Sequence, residues 1–536
     1  MLLEKFTWWQ RGVVYQIYPR SFQDSNRDGI GDLNGIANRI DYLKWLGVKA
    51  VWISPVYPSP MADFGYDISN YKDIHQTFGT LVDFELLVKR LHEAGIKVIL
   101  DLVPNHTSSA HPWFIESRSS RDNPKRNWYL WKDPKADGSR PNNWLATFGG
   151  SAWEWDKTTK QYYYHAFLKE QPDLNWRNPE VQEAILDVMK FWLDKGVDGF
   201  RIDVIYHIIK DELFRDNPIN PLYNNTMPDY DRLLSTYSTD QPEVLNVIKK
   251  MRKLSDQYKE CVLIGEIYLP VEQMIKYYGV CGDGVHLPFN FQLINVEWKA
   301  KSVARIVKNY ETLLPEFAWP NWVLGNHDQP RIAHRVGLEQ AKIAAILLLT
   351  LRGTPTIYYG EEIGMTNVHI PIEEMQDPQG LNMPDKNFSR DPQRTPMHWD
   401  GNINAGFTES QNPWLRVAND YRNQNVQVQK DDPNSILLLY KKLIDLRNKQ
   451  PALSIGEYIP LFVDEHILSY VRRDPNGKQF LIALNFSNCS CELKLQTPYN
   501  KGQIVISSSV ELEGAFITGA IGFKANEGIV MDLSSQ

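Results

Sequence analysis

Cysteine is scarce in this sequence, with four residues in 536: Cys261, Cys281, Cys489 and Cys491. So few cysteines in so long a chain do not make the disulfide framework that holds small secreted domains together. Cys489 and Cys491 are separated by one residue, so they lack the CxxC spacing of metal and redox motifs. Reduced thiols are therefore expected, which indicates a reducing compartment.

Long apolar runs are also missing. The most apolar stretch, 343–351, has about nine residues, whereas about 20 are needed to cross a bilayer. The N-terminal residues MLLEKFTWWQRG contain neither the apolar core nor the small-residue cleavage site of a secretion signal. The sequence therefore predicts a cytoplasmic protein that does not associate with a membrane.

Positive charge is in slight deficit. The chain has 58 lysine and arginine residues against 65 aspartate and glutamate residues, which gives a net charge of -7. A nucleic-acid-binding protein usually carries a basic patch, and no run of lysine or arginine here is long enough to form one. Nucleic acid is therefore not an expected partner, and a neutral substrate fits the charge balance better.

Aromatic residues, in contrast, are plentiful. They make up 12% of the chain and include 17 tryptophans and 26 tyrosines. Aromatic faces stack well on sugar rings, but the same large side chains also fill protein cores. Most of these residues are therefore expected in the core, and the remainder are candidates for a sugar-binding surface.

Short apolar runs alternate with longer helical patterns along most of the chain. The helical pattern at 180–195, for example, ends at Gly196. Repeated strand–helix units predict an α/β fold, and over this length they favour a closed (β/α)₈ barrel, with an open doubly wound sheet as the alternative. The runs typical of buried parallel strands lie at 13–17, 50–53, 98–103, 199–204, 262–266, 322–325 and 356–359.

Two long segments interrupt this alternation. Residues 104–174 follow the third predicted strand, are rich in Trp, Tyr, Asn and Pro, and are expected to form an inserted domain. Residues 365–434 form a polar loop region after the last barrel strand, and loops of this length are usually functional. After a helix at 435–448, short alternating strands predict a small antiparallel β domain. The predicted boundaries are 1–103 and 175–455 for the barrel, 104–174 for the insertion and 456–536 for the C-terminal domain.

Charged residues stand directly after four of the predicted strands, at Asp101–His106, Arg201–Asp203, Glu266 and Asn326–Asp328. Catalytic groups of barrel enzymes lie at the C-terminal ends of the strands. One such group alone is usually a helix cap or a loop ion pair, but four around one rim predict a carboxylate-lined pocket. Cleavage of a glycosidic bond requires two carboxyl groups of this kind. The spacing alone leaves both retention and inversion of the anomeric configuration open.

The four clusters resemble the signature motifs of the α-amylase family, glycoside hydrolase family 13. The segments DLVPNH (101–106), GFRIDVIYH (199–207), GEIY (265–268) and GNHDQ (325–329) match in identity, order and spacing, and the likeness covers nearly the whole chain. The resemblance implies a TIM barrel with an inserted domain after strand 3 and a C-terminal antiparallel β-sandwich. It also implies a retaining mechanism with three catalytic residues: the nucleophile Asp203, the general acid/base Glu266, and Asp328, which fixes ring hydroxyls.

The same resemblance implies further residues of a sugar-binding pocket. Arg201 lies two residues before Asp203 on one strand face, so its guanidinium would orient that carboxylate and keep it ionised. Two aromatic residues of the inserted segment are candidate apolar walls, Phe148 and Phe167. The residues expected to stack on and hydrogen-bond the non-reducing glucose are Tyr66, Asp67, His106 and His327.

Two further features concern specificity. The segment QPDLNW (171–176) resembles the motif of the α-glucosidase and oligo-1,6-glucosidase branch, in which an Asp–Arg pair closes the pocket beyond one sugar. Asp63 and Arg394 match that pair, although an ordinary surface ion pair is the alternative. Val204 follows the nucleophile, and in related enzymes valine here goes with α-1,6 activity, whereas Ala or Thr goes with α-1,4. The expected activity is exo-acting hydrolysis of short α-glucosides with release of α-glucose and a slight preference for α-1,6 linkages.

The segment 24–32, DSNRDGIGD, places oxygen-bearing side chains at alternate positions, as in the first part of an EF-hand calcium loop. It departs from an EF-hand in having Gly35 where the bidentate glutamate should be, and an Asx-rich turn without an ion is the alternative. Resemblance to the α-glucosidase branch implies a structural Ca²⁺, with Mg²⁺ as the second choice. Its ligands would be Asp24, Asn26, Asp28, the Ile30 carbonyl and Asp32.

Two other functions remain open from the sequence. A transferase or isomerase, such as trehalose synthase or sucrose isomerase, would use the same site and differ in the access of water to the covalent intermediate. A non-catalytic transporter heavy chain has a similar barrel, but it is expected to carry a membrane-spanning segment and, in its inactive forms, to lack the three acids. The chain is expected to act as a monomer or homodimer on a small α-glucoside.

Overall fold

The computed structural model of the chain describes residues 5–533. Its central sheet has eight parallel strands: β1 (Val14–Ile17), β2 (Ala50–Ile53), β3 (Lys97–Leu102), β4 (Gly199–Ile202), β5 (Val262–Gly265), β6 (Leu287–Pro288), β7 (Asn321–Val323) and β8 (Thr354–Tyr358). They pair in the order β7-β8-β1-β2-β3-β4-β5-β6, so the sheet curls into a nearly closed barrel. This confirms the (β/α)₈ barrel and excludes the open doubly wound sheet.

Amphipathic helices cover the outside of the barrel. In the helix Pro179–Asp194, predicted at 180–195, Asn178 caps the N-terminus by accepting a hydrogen bond from the amide of Glu180, and Ile185 and Met189 lie on the buried face. The spacing of the apolar residues therefore fixes which face packs on the strands. The other helices with six or more residues around the barrel are Leu33–Asn38, Ile40–Leu46, Leu81–Glu93, Val244–Ser255, Ala300–Leu313, Leu338–Thr350, Val426–Asp431 and Ile436–Lys449, and the inserted segment adds Pro112–Ser119.

The apolar run 343–351 belongs mostly to the helix Leu338–Thr350, which is buried from Ile343 onward. Ile343 and Ile346 pack against the backbone of Gly528 in the C-terminal domain, where an added Cβ would lie 3.0 Å from each of them. The run is apolar on all sides because this helix lies between the barrel and the C-terminal sheet. No helix within residues 5–533 is long and apolar enough to cross a membrane.

Antiparallel sheets occupy the inserted and C-terminal segments. The insertion contains a small sheet of Trp131–Lys132, Gln161–Tyr164 and Trp153–Asp156. At the C-terminus, a six-stranded sheet packs on a two-stranded one through an apolar layer that includes Leu481, Leu493 and Phe523, which confirms the antiparallel β-sandwich. Its strands are Glu457–Val463, Ile467–Arg473, Gln479–Asn485, Cys491–Lys494, Lys501–Ser507, Phe516–Thr518, Ala520–Phe523 and Gly528–Asp532. The domain boundaries stay predictions, and residues 1–4 and 534–536 at their outer ends lie outside the described residues.

Candidate active site

A cavity of about 850 Å³ opens at the C-terminal ends of the barrel strands. Asp203 follows β4, Glu266 follows β5 and Asp328 follows β7, and all three side chains line this cavity. Their convergence follows from the barrel, because the C-terminal ends of parallel strands meet at one rim. The structure thus brings together the three acids that the sequence motifs single out.

One guanidinium joins the carboxylates at the bottom of the cavity. Nη1 of Arg201 lies 2.7 Å from both Asp101 Oδ1 and Asp203 Oδ1, and Nη2 lies 2.8 Å from Glu266 Oε2. Arg201 and Asp203 are two residues apart at the end of β4 and therefore point to the same side. The side chain of Arg201 is completely buried and does not line the cavity, whereas its partners Asp203 and Glu266 do.

The protonation of the acids follows from burial and from their neighbours. Burial raises the pKa of Asp203 and of Glu266 above the ordinary carboxyl values; Arg201 opposes this rise, while the surrounding carboxylates add to it. Burial likewise raises the pKa of Asp101 to about 6. These carboxyl groups share a single positive charge, so at least one of them retains its proton at a pH where an exposed carboxyl has lost it.

Asp328 is different from the other two acids. Burial acts to raise its pKa, but the neighbouring His327, Arg390 and Arg394 together hold that pKa well below the usual value. Its Oδ1 accepts hydrogen bonds from Arg394 Nη2 at 2.7 Å and from Arg390 Nη1 at 3.2 Å. Asp328 therefore stays a carboxylate throughout the neutral pH range, and in this form it can accept hydrogen bonds but cannot donate them.

The charge of Asp101 gives a pH-dependent prediction. Asp101 raises the pKa of Asp203, and its substitution Asp101→Asn removes this negative charge while keeping an oxygen that can accept from Trp52 Nε1 and Tyr66 OH. The carboxyl groups that remain should therefore lose their proton at lower pH. We expect the acidic limb of the kcat/KM profile, where Asp203 takes up its proton, to move to lower pH in Asp101→Asn. An acidic limb that stays in place or moves upward contradicts this assignment.

The backbone of Val204 holds Glu266 in place. Val204 has φ 35° and ψ 45°, a left-handed conformation that is unusual for a β-branched residue. Its N–H donates a hydrogen bond of 2.8 Å to Glu266 Oε2. Strain of this kind costs about 1–3 kcal/mol and is typical of functional sites. Val204 also lines the cavity.

A wall of neutral hydrogen-bonding groups lies beside the acids. Tyr66 OH is 3.0 Å from Asp101 Oδ2 and 2.7 Å from His327 Nε2, and the two rings stack with centroids 5.4 Å apart. His106 Nε2 lies 3.1 Å from the Tyr66 carbonyl. Burial lowers the pKa of His106 to about 4 and that of His327 well below its usual value. Both imidazoles are therefore neutral near pH 7, where each has one donor and one acceptor.

The two predicted apolar walls also lie at the cavity. Phe148 and Phe167 line it, with ring centroids 5.5 Å apart, and Phe167 is 5.3 Å from the ring of His106. Sequence reasoning missed Gln171, whose Nε2 lies 3.2 Å from Asp63 Oδ2 and 3.1 Å from His106 Nε2. Gln171 opens the QPDLNW segment, so its position in that motif was an available signal.

The prediction that Asp63 pairs with Arg394 is wrong, because Asp63 pairs with Arg390 instead. Asp63 Oδ1 accepts a hydrogen bond of 2.7 Å from Arg390 Nη2, and Arg390 also lines the cavity with Phe148 over its guanidinium at 4.6 Å. Arg394 is completely buried and donates to the His327 carbonyl and to Asp328 instead. Arg390 and Arg394 are both in one irregular loop, so only the folded loop decides which of them reaches Asp63.

The position of Asp67 does not agree with the prediction that this residue binds the sugar. Its carboxylate is buried and accepts hydrogen bonds from Ser59 Oγ and from the amides of Ala62 and Asp63 at 2.8–2.9 Å. It does not line the cavity. Asp67 therefore holds the turn that carries Asp63 and Tyr66, and it contacts the site only through that turn.

Several lining residues were not foreseen from the sequence. Tyr268 belongs to the GEIY motif and stacks on Phe291 with centroids 4.2 Å apart. Tyr230 and Phe388 come from the long loops after β4 and β8, where no periodic pattern marks them. These three aromatic rings widen the apolar part of the cavity beyond the acids.

The segment 24–32 forms an Asx-rich turn. Asp24 accepts hydrogen bonds from its own loop amides, and both oxygens of Asp32 accept from Ser25 or Gly35. A Cβ at Gly35 would lie 1.8 Å from the Gln23 carbonyl, so no side chain fits at the twelfth EF-hand position. Within residues 5–533, no group of three or more His, Cys, Asp or Glu side chains converges closely enough to hold a metal ion. Calcium binding therefore stays a prediction.

Comparison with known proteins agrees with this geometry. Residues 16–456 match the family model described as "Alpha amylase, catalytic domain". The chain is 40% identical to Maltase A1 of Drosophila melanogaster, covering 96% of this chain and 93% of the relative, and 43% identical to an oligo-1,6-glucosidase of Heyndrickxia coagulans, covering 90% and 92%. The crystal structure of an isomaltulose synthase from Protaminobacter rubrum superposes with a TM-score of 0.91 at 35% identity, over 98% of this chain and 99% of that one. The chain belongs to the alpha-amylase family of glycoside hydrolases.

Proposed function

We propose that this glycoside hydrolase is a retaining, exo-acting α-glucosidase. The observation that carries the proposal is the position of Asp203 and Glu266 on the same guanidinium, at the bottom of a cavity that Arg390 and Asp63 close on one side. Two carboxyl groups that touch one arginine are close neighbours. This favours the short separation of about 5–5.5 Å found in retaining glycosidases over the wider spacing of inverting ones.

The proposed reaction has two steps. Glu266 donates its proton to the glycosidic oxygen while Asp203 attacks the anomeric carbon, so a carbon–oxygen bond to the enzyme forms as the bond to the leaving group breaks. Glu266 then takes a proton from water, whose oxygen displaces Asp203 from the anomeric carbon. Arg201 stabilises the carboxylate of Asp203 before and after the covalent intermediate. Two displacements at one carbon return the α configuration.

The closed end of the cavity supports removal of single glucose units. Arg390 contacts Asp63 at 2.7 Å, Asp377 at 2.6 Å and Asp328 at 3.2 Å, so three carboxylates fix its guanidinium across the pocket. Burial acts to lower the pKa of Arg390, but these three acids together raise it well above the usual value. A permanently charged, fixed guanidinium leaves no path for a further sugar beyond the first.

The proposal is tested by the products of the first turnovers. With a p-nitrophenyl α-glucoside, whose leaving group is not a sugar, proton NMR should detect α-glucose first, and the β-anomer should appear only as mutarotation proceeds. With longer oligosaccharides, the first products should be glucose and the chain shortened by one unit. Initial β-glucose overturns the retaining mechanism, and release of internal oligosaccharides overturns the exo-acting one.

The linkage preference rests on Val204, whose side chain lines the cavity next to the nucleophile. A smaller or more polar side chain there changes the space beside the leaving group. We propose a slight preference for α-1,6 linkages. We expect Val204→Thr to raise the ratio of kcat/KM for maltose over isomaltose by about tenfold, the low end of the range that one methyl group decides in an apolar pocket. A ratio that falls, or does not change, contradicts a role for Val204 in linkage choice.

Transfer to a sugar in place of water is the second candidate function. The likeness to an isomaltulose synthase, at 35% identity over 98% of this chain, favours it specifically. Hydrolysis and transfer share the covalent intermediate and differ only in what attacks it. Sucrose and maltose at high concentration distinguish them: hydrolysis yields free glucose, whereas isomerisation or transfer yields new disaccharides in excess of glucose.

We also propose a structural Ca²⁺ at the segment 24–32. Asn26 and Asp28 are exposed at its tip with Asn26 Nδ2 and Asp28 Oδ2 3.2 Å apart, and calcium prefers oxygen ligands of this type. We expect added Ca²⁺ to raise the melting temperature of the wild type but not of Asp28→Ala. An equal response of both proteins, or none, overturns this proposal.

We further propose that the protein is a monomer or homodimer in the cytoplasm and acts on a small α-glucoside.

A further inference from the structure

Two loops face each other across the mouth of the cavity. The segment 208–240, which follows β4, contributes Pro228 and Tyr230 to the cavity lining. The segment 382–390, part of the long loop after β8, contributes Phe388 and Arg390. The position of one loop relative to the other therefore sets the width of the entrance.

Each loop is fixed elsewhere by polar contacts of its own. The first is joined to the inserted segment, where Asn142 Nδ2 donates to the Phe214 carbonyl at 3.0 Å and Asn143 Nδ2 donates to the Asn217 carbonyl at 2.8 Å. The second is fixed through Arg390, which contacts three carboxylates. These contacts fix each loop separately. The distance between the two loops therefore depends on the contacts that join them directly.

Lys386 makes every hydrogen bond and ion pair that joins the two loops within the part of the chain that the structure describes. Its Nζ donates to Asp229 Oδ1 at 2.7 Å and to the Met227 carbonyl at 2.9 Å, and it lies 3.4 Å from Tyr223 OH. Met227 and Asp229 flank the cavity-lining Pro228. A single ammonium group thus holds this turn from both sides.

The ion pair between Lys386 and Asp229 is partly exposed to solvent. The side chain of Lys386 is 22% exposed and that of Asp229 is 40% exposed, so water and salt reach the pair. Hydrogen bonding between the two groups raises the pKa of Lys386 and lowers that of Asp229, so both are charged at neutral pH. Ion pairs this exposed contribute little to stability and are screened by salt.

We propose that Lys386 is a latch between these loops and that it restricts the enzyme to short glucosides. This inference rests on the proposed exo-acting function. With the pair formed, the loops enclose a glucose unit and a short leaving group in the cavity. With the pair broken, the turn at 227–229 can move away from the segment 382–390, and a longer leaving group extends between them. Lys386 is a positioning residue for specificity and does not touch the reacting atoms.

The test compares a trisaccharide with a disaccharide of the same linkage. In Lys386→Met and in Asp229→Asn, the ratio of kcat/KM for the trisaccharide to that for the disaccharide should rise by about two- to fivefold over the wild type, the range of one exposed ion pair. The double variant Lys386→Asp with Asp229→Lys should return the ratio toward the wild-type value. Lys190→Met, which removes an exposed pair with Asp194 on the helix Pro179–Asp194, is the matched control and should leave the ratio unchanged.

Salt provides a test that needs no variant. Sodium chloride at high concentration should raise the same ratio in the wild type and leave it unchanged in Lys386→Met, because only the wild type has a pair to screen. A ratio that is equal in the wild type, Lys386→Met and Asp229→Asn, or that does not respond to salt in the wild type, overturns the latch while the glucosidase function stands. A wild type that releases no glucose from either sugar overturns the proposed function itself.

Discussion

Asp203→Asn should abolish glucose release almost completely. The amide keeps the size of the carboxylate but cannot form the covalent bond to the anomeric carbon, so the first step of the proposed mechanism loses its nucleophile. We expect kcat on a p-nitrophenyl α-glucoside to fall by about 10³-fold or more, as is found when a group that acts as part of a catalytic unit is removed. Steady-state release of p-nitrophenol measures this, and unchanged turnover contradicts the assignment of Asp203.

Two controls separate loss of the nucleophile from loss of the fold. Asp203 is already next to the buried charge of Arg201, so the melting temperature of Asp203→Asn should be checked against that of the wild type. In Asp203→Gly, azide ions enter the space that the carboxylate leaves and should restore release of p-nitrophenol with formation of a β-glucosyl azide. A rescued product with the α configuration would show that azide takes the place of water and not of Asp203.

Arg201→Met should destabilise the protein as well as inactivate it. The guanidinium is completely buried and contacts Asp101, Asp203 and Glu266, so its removal leaves three buried carboxyl groups without their positive partner. Removing one partner of a buried ion pair costs about 3–5 kcal/mol. We expect a clear drop in the melting temperature at pH 7.5 together with loss of turnover.

The pH dependence of this loss identifies its cause. Burial raises the pKa of Asp101 to about 6 even with Arg201 present, and without the arginine it should rise further. Unpaired carboxyl groups therefore take up protons on acidification, which removes their charge and with it the penalty. The difference in melting temperature between wild type and Arg201→Met should shrink from pH 7.5 to pH 5.5. A difference that is constant with pH would mean that the substitution acts through packing alone. Arg201→Lys keeps the charge, so its melting temperature should lie between those of the wild type and Arg201→Met.

The barrel was largely predictable because its strands are buried on both faces. Seven of the eight strands appear in the sequence as short continuous apolar runs at or within a few residues of their observed positions. The remaining strand, β6 (Leu287–Pro288), has only two residues, one of them a proline, and therefore shows no apolar run in the sequence. Its place in the sheet is fixed by pairing with β5 and not by its own sequence.

The position of the acids was predictable for a related reason, because the C-terminal ends of parallel strands converge on one rim for any loop conformation. Their roles came from the family resemblance. The residues that the loops supply could not be predicted in this way. Arg390 and Arg394 are both in an irregular segment without periodicity, and only the contacts of the folded loop place Arg390 on Asp63. Asp67 was misread for the same reason, because a carboxylate next to Tyr66 in sequence can face either the sugar or its own turn.

The left-handed backbone of Val204 bears on how this enzyme would respond to selection for heat resistance. Glycine adopts φ 35° without the crowding that a β-branched side chain meets there, so Val204→Gly should relieve strain in the folded chain. The same change removes the side chain beside Asp203, the proposed nucleophile, and loosens the backbone amide that holds Glu266. A population screened for heat resistance alone should therefore acquire glycine at this position, and one screened for turnover should lose it again.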